Sequence, residues 1–60
     1  MKIYKLMAGV YEVWKNDKMT HRIYKNRLGG WTIAIFHERI NRFVDSRYFA
    51  TFKQAKQSIL

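Results

Sequence analysis

The sequence predicts an α+β fold in which an antiparallel sheet of three to four strands packs against one C-terminal helix. Three observations predict it: short runs of β-branched and aromatic residues, polar or glycine-containing turns between them, and a capped helical pattern near the end. A chain of 60 residues has room for one hydrophobic core. Residues 1–60 are therefore expected to form a single small basic domain.

The first two predicted strands form a hairpin. Val10 to Trp14 are rich in β-branched and aromatic residues, and Lys15 to Lys18 form a polar turn. The returning strand is predicted from Met19 to Lys25. Side chains alternate between the faces of a strand, so Ile23 and Tyr24 should point in opposite directions.

A third strand is predicted from Trp31 to Phe36, directly after the Gly29-Gly30 turn. The segment 37–47 is ambiguous because its apolar residues also fit a helical stripe. We favour a loop and a fourth extended segment, since Asp45-Ser46 is a turn-like pair between β-favouring residues.

The helix is predicted to begin after Thr51 and to run for about ten residues. Thr51 and Gln54 have the spacing of a capping box, in which each residue satisfies a backbone amide of the other. Phe52, Ala55 and Ile59 share one helical face. This face is expected to cover the sheet residues Trp31, Ile33 and Ile35.

The residue inventory argues against an enzyme. Cysteine is absent, which excludes disulfides and cysteine-ligated zinc. His21 and His37 are far apart in sequence and have no clustered partners, so neither a metal nor another cofactor is expected. The carboxylates Asp17 and Asp45 are best explained as turn residues. No catalytic constellation is present.

The apolar runs are too short to cross a membrane as a helix, since Trp31 to Phe36 is among the longest. The N-terminal residues lack the long apolar region of a secretory signal. No membrane partner is expected, and a cytoplasmic location is predicted.

Charge is the most informative property of the composition. Twelve lysines and arginines oppose four acidic residues, for a formal net charge of +8. Cations interleaved with aromatic residues suit phosphate contacts and base stacking. We therefore expect a nucleic-acid partner, DNA rather than RNA. The candidate binding residues are Trp14, Lys15, Lys18, Arg22, Tyr24, Lys25, Arg27, Arg39, Arg42 and Arg47.

Two alternatives stay open for the aromatic residues. Trp14, Tyr24 and Phe36 could form a second apolar layer or a homodimer surface. In a different functional class, the chain could be a small phage-like inhibitor or adaptor that docks on an acidic host protein through its aromatic sheet face.

The chain also resembles a known type of DNA-binding domain. The residues that show the resemblance are Gly9-Val10, the strand Trp31 to Ile35 after a glycine turn, and Phe49-Ala50-Thr51 leading into Lys53 to Lys56. This pattern, over Gly9 to Ile59, resembles the AP2-like and integrase N-terminal domains.

The resemblance implies a three-stranded sheet that lies in the major groove of DNA, with contacts from the face that has no helix. That role would fall on Lys15, Arg22, Lys25 and Arg27. Glu12 departs from the pattern, since the plant-type domains are rich in arginine in their first strand. Backbone contacts are therefore favoured over readout of the bases.

Overall fold

The computed structural model describes all residues from Met1 to Leu60 as a five-stranded antiparallel sheet with one helix packed across it. The strands are β1 (Lys2–Met7), β2 (Val10–Lys15), β3 (Lys18–Lys25), β4 (Trp31–His37) and β5 (Arg42–Phe49), and the helix is α1 (Phe52–Ser58). Each strand pairs with the next one in the chain. The predicted α+β class with three to four strands is therefore wrong, because the fold is mostly sheet and has a fifth strand.

Strand β1 is the element that the sequence pattern did not reveal. Ile3 is its only partly buried residue, and it lies opposite Val13 of β2. Strands are recognised in a sequence by the alternation of buried apolar and exposed polar residues. An edge strand with only one partly buried side chain shows little of this alternation. Pairing with β2 places it in the sheet.

The hairpin turns follow the local backbone preferences of their residues. Asn16 and Asp17, which link β2 to β3, have φ values of 52° and 63°. Positive φ at both central residues is the requirement of the type I′ turn, which asparagine and aspartate tolerate. Asp17 is thus a turn residue, as predicted. In the next connection, a Cβ on Gly30 would lie 2.7 Å from the carbonyl oxygen of Phe49, so only glycine fits there.

The ambiguous segment resolves into a turn and one continuous strand, β5, which confirms the favoured extended reading of it. Asp45, however, is within β5 and not in a turn. Ala34 lies opposite Asp45 and Ile33 opposite Arg47, so Ser46 is an extra residue in a β-bulge. Residue types that favour turns are here accommodated by a bulge in the sheet.

Helix α1 begins as the sequence predicts. The Thr51 hydroxyl accepts a hydrogen bond from the Gln54 amide at 3.1 Å, and the Gln54 side chain accepts one from the Thr51 amide at 3.3 Å. This is the complete capping box. The helix spans only the seven residues Phe52–Ser58, fewer than the ten expected.

The core lies between α1 and one face of the sheet. It consists of Val13, Ile23 and Ile33 from the strands and of Ala55 and Ile59 from the helical segment. We call the side of the sheet under α1 the helix-bearing face and the opposite side the helix-free face. Only seven of the 60 residues are buried, and the helix-free face has no covering element.

The prediction that α1 covers the third predicted strand is confirmed in its main part. Ile33 is 2% exposed, and the Trp31 ring lies 5.1 Å from the Phe52 ring in an edge-on arrangement. Tyr11 of β2 completes this aromatic cluster, with its ring 4.5 Å from that of Phe52. Ile35 is only partly buried.

Candidate nucleic-acid interface

The strand register separates the cations from most of the exposed rings. Side chains alternate along each strand, so the core residues of each strand fix which positions share the helix-bearing face. Six of the ten aromatic residues then belong to the helix-free face: Tyr4, Trp14, Tyr24, Phe36, Phe43 and Tyr48. The other four lie on the helix-bearing side, where they pack against the core.

The helix-bearing side carries cations and no acidic side chain. Lys5 and Lys25 lie near the β1–β2 turn and the end of β3, Arg42 and Arg47 come from β5, and Lys53 and Lys56 are exposed on α1. We call these six residues the basic surface. Glu12 and Asp45 point to the helix-free face, while Asp17 and Glu38 are in turns.

Arg22, a central candidate from the sequence, is occupied by contacts within the chain. Its guanidinium is 3.4 Å from the Glu12 carboxylate and 4.3 Å from the centre of the Phe43 ring. Its Nε is buried and has no hydrogen-bond partner. This charge is neutralised and held against a ring, so it is poorly placed to meet a phosphate.

Tyr24 and Trp14 are likewise engaged with carboxylates of the helix-free face. The Tyr24 hydroxyl donates to Asp45 Oδ1 at 2.7 Å, and this hydrogen bond is the main reason that the pKa of Tyr24 is raised. Trp14 Nε1 donates to Glu12 at 3.3 Å. The centre of this face is therefore a network of two carboxylates, one guanidinium and several rings.

Lys15 has a structural role at the end of the helix. Its ammonium donates to the carbonyl oxygen of Ile59 at 2.7 Å, which satisfies an acceptor that the helix end leaves without a backbone partner. The same charge lies near His21. Partial burial, and then the charge of Lys15, lower the pKa of His21 from its ordinary value of 6.5.

The remaining candidates are divided between the two ends of the molecule. Lys18 follows the β2–β3 turn and Arg39 lies in the β4–β5 turn, whereas Arg27 lies in the β3–β4 turn at the opposite end. Of the ten residues selected from the sequence, the structure thus brings Lys25, Arg42 and Arg47 onto one surface. Lys15 and Lys25 lie on the helix-bearing side, and not with Arg22 on the helix-free face that the resemblance implies.

Sequence reasoning missed Lys5, Lys53 and Lys56 as parts of this surface. Lys5 belongs to the strand that was not predicted. The sequence pattern places Lys53 and Lys56 on the solvent-exposed face of the helix, which is typical of any surface helix. One signal was available: after Asp45 the chain carries Arg47, Lys53 and Lys56 and no acidic residue. Such a one-sided segment indicates a directed positive field.

The structure has no group of three or more histidine, aspartate or glutamate side chains arranged to hold a metal ion. None of its helices combines the length and the apolar composition needed to cross a membrane. The chain matches no protein-family model, no curated protein and no solved structure.

Proposed function

We propose that the chain binds nucleic acid, double-stranded DNA in preference to RNA, through phosphate contacts made by the basic surface. The observation that carries the proposal is that no strand or helix residue on the helix-bearing side is acidic, and that the six cations of the basic surface lie there together with Lys15 and Lys18. A surface with one sign of charge attracts polyanions over several ångströms. The preference for DNA and a cytoplasmic location rest on the sequence.

The separation of rings from cations favours phosphate contacts over base stacking. Proteins that bind single strands place aromatic rings beside their cations, so that bases stack while phosphates pair. On the basic surface the rings of Trp31 and Phe52 are instead packed against each other and against the core. Lysine and arginine are then left to act on the phosphate backbone, which carries no base information.

The size of the molecule sets the extent of the contact. Its longest dimension is 29 Å, which corresponds to about eight base pairs of duplex at 3.4 Å each. If all six cations contact phosphates, the logarithm of the binding constant should fall with the logarithm of salt concentration with a slope of about −5.

The test compares two double charge reversals with the same change in net charge. Lys53→Glu/Lys56→Glu reverses two cations of the basic surface, and Lys2→Glu/Arg39→Glu reverses two cations elsewhere. Fluorescence anisotropy with a short duplex should give a dissociation constant raised by roughly 30-fold or more for the first variant. The second variant should change it by only about threefold, through the long-range field alone.

Salt titration provides an independent measurement on the same variants. The first variant should reduce the salt slope from about −5 to about −3.5, because two phosphate contacts are lost. The control should keep the original slope. Equal effects of the two variants on affinity and slope would contradict a localised basic surface.

A third variant distinguishes this mode from the sheet-in-groove mode that the AP2-like resemblance implies. Arg22→Gln removes the cation at the centre of the helix-free face and retains a polar side chain of similar reach. If the basic surface binds DNA, this variant should keep the wild-type affinity within about threefold. A loss of tenfold or more would assign the contact to the helix-free face.

A further inference from the structure

The helix-free face has the composition of an interface and not of a solvated surface. A groove of about 790 Å³ lies at the end of this face near the β1–β2 turn, where Tyr24 and Phe43 are among its lining residues, and it extends past the sheet end to Trp31. Tyr4, on the edge strand β1, is 48% exposed and lines a separate cavity with Glu12 and Trp14. A sheet face with this many rings and no covering layer is usually buried against another chain.

One row of side chains crosses the middle of this face. Tyr4, Glu12, Arg22, Ala34 and Asp45 are direct neighbours in the sheet register, one from each strand in the order β1 to β5. The row begins with the exposed ring of Tyr4, continues with a carboxylate and a guanidinium, reaches Ala34, which is only 1% exposed, and ends with the Asp45 carboxylate. We call it the central row.

The central row is complementary to itself under a two-fold rotation. The two-fold axis runs parallel to the strands, in the plane midway between the two stacked sheets. It passes between β2 and β3, so the rotation places β1 of one copy on β4 of the other. Tyr4 then faces Ala34 of the second copy, and Glu12 faces Arg22. The Tyr4 ring meets β4 where Ala34 is only 1% exposed and the Arg22 guanidinium lies on the Phe43 ring, and each charge meets its opposite.

We propose that the helix-free face forms a symmetric homodimer in which the Tyr4 ring of each chain packs on β4 of the other, beside the Arg22 guanidinium and the Phe43 ring. The dimer has four layers, helix, sheet, sheet and helix, with the stacked sheets about 10 Å apart.

The distribution of charge over the whole molecule favours a second copy of the chain as the partner of the helix-free face. The chain carries a net charge of +8, which opposes the approach of a second copy. The helix-free face is where that repulsion is weakest, because Lys2 and Arg22 are balanced there by Glu12 and Asp45. A dimer joined by this face directs both basic surfaces outward. An acidic protein would find no excess of positive charge on this face.

The area of the face is sufficient for a dimer of moderate affinity. The overlap of four strands covers about 19 Å by 20 Å, or about 400 Å² in projection for each copy. With the relief of the side chains, the two copies bury on the order of 1,000 Å² in total, the lower end of specific interfaces. A dissociation constant in the micromolar range is expected.

The first experiment is sedimentation equilibrium of the wild-type chain up to about 1 mM. The expected mass rises with concentration from 7.3 kDa towards twice that value. A mass of one chain over the whole range overturns the proposal. Added salt should leave the association unchanged or strengthen it, because it screens the repulsion between two basic chains. Nucleic-acid binding has the opposite salt dependence, so failure of one idea does not affect the other.

Two matched variants test the geometry of the dimer. Tyr4→Lys places a charge in the overlap and should raise the dimer dissociation constant by roughly tenfold or more. Tyr48→Lys makes the same chemical change on the same face, at a residue that is 68% exposed. Its strand, β5, lies outside the overlap, so this control should remain dimeric. The reverse ranking, or no effect of either variant, overturns the proposed axis.

Amide chemical shifts provide a measurement that needs no variant. On dilution of the labelled wild-type chain, shift changes should be confined to the helix-free strands around Glu12, Arg22 and Ala34. The amides of α1 should not move. Shift changes centred on α1 would place the interface on the helix-bearing face and overturn the proposal. A dimer that forms only when another protein is present would also overturn it.

Discussion

At the scale of single residues, the cations of this chain have different roles that their chemistry alone does not distinguish. Lys15 donates to a carbonyl at the end of α1, and Arg22 lies between a carboxylate and a ring. Lys53, in contrast, is exposed on the helix with no neighbouring acid in the first turn. The first two stabilise the fold, and the third is available to a polyanion.

His21 is expected to make the stability of the fold depend on pH. Its pKa is lower in the folded chain than the ordinary 6.5, mainly because of partial burial and then because of Lys15. The unfolded chain therefore binds a proton more strongly than the folded chain does. Stability should be full above pH 6.5, should fall as the pH drops below 6.5 towards the folded pKa, and should then level off.

Thermal unfolding between neutral and mildly acidic pH measures this effect. In His21→Gln the fall in unfolding midpoint over that range should be smaller than in the wild type, because the shifted group is gone. His37→Gln, at an exposed position in the structure, is the matched control and should retain the wild-type pH dependence. If the unfolding midpoints of both variants depend on pH in the same way, His21 is not the source of the pH dependence.

At the scale of secondary-structure elements, α1 depends on its cap. A helix of seven residues has no stability of its own in water, and its position is set by packing and by the first turn. Thr51 supplies the side chain that satisfies the Gln54 amide.

Thr51→Ala should therefore lower the free energy of unfolding by about 1 kcal/mol. Chemical denaturation measures it. Lys53→Ala, on the exposed side of the same helix, is the control and should change stability by less than about 0.5 kcal/mol. A cap variant as stable as the control would show that packing of Phe52 and Ala55 alone fixes the helix.

Elements with strong local signals could be predicted from the sequence, and those defined by their neighbours could not. The β2–β3 hairpin and the capped start of α1 follow from residues adjacent in sequence, such as Asn16-Asp17 and Thr51 with Gln54. Strand β1 depends on pairing with β2. The extra residue Ser46 in β5 depends on the register with β4, which a turn-like pair in the sequence does not reveal.

The candidate site was harder to predict than the fold because it depends on which face each residue joins. Strand alternation and three register shifts decide this, with extra residues at Leu6 in β1, at Thr20 in β3 and at Ser46 in β5. The positive charge was clear from composition. Its segregation from the exposed rings became evident only when the register was known.

At the scale of the whole molecule, the two faces of the sheet have different physical properties. The helix-bearing side is cationic over a packed core, and the helix-free face is nearly neutral and rich in rings. A strip of balanced charge on a chain of net charge +8 is the region where another copy meets least repulsion. Together the two proposals describe a dimer with two basic surfaces facing away from each other.

The order of the strands in the sheet is also their order in the chain, and this has a consequence for how the protein folds. Every strand pair is a local hairpin, so each new pairing closes a short loop at small entropic cost. Contact order is therefore low for a sheet protein, and the sequence contains no proline whose isomerisation would delay folding. Stopped-flow refolding of the dilute chain should be a single exponential that ends within tens of milliseconds, on the order expected for local topologies. A phase lasting seconds would indicate that a step other than hairpin formation limits the rate.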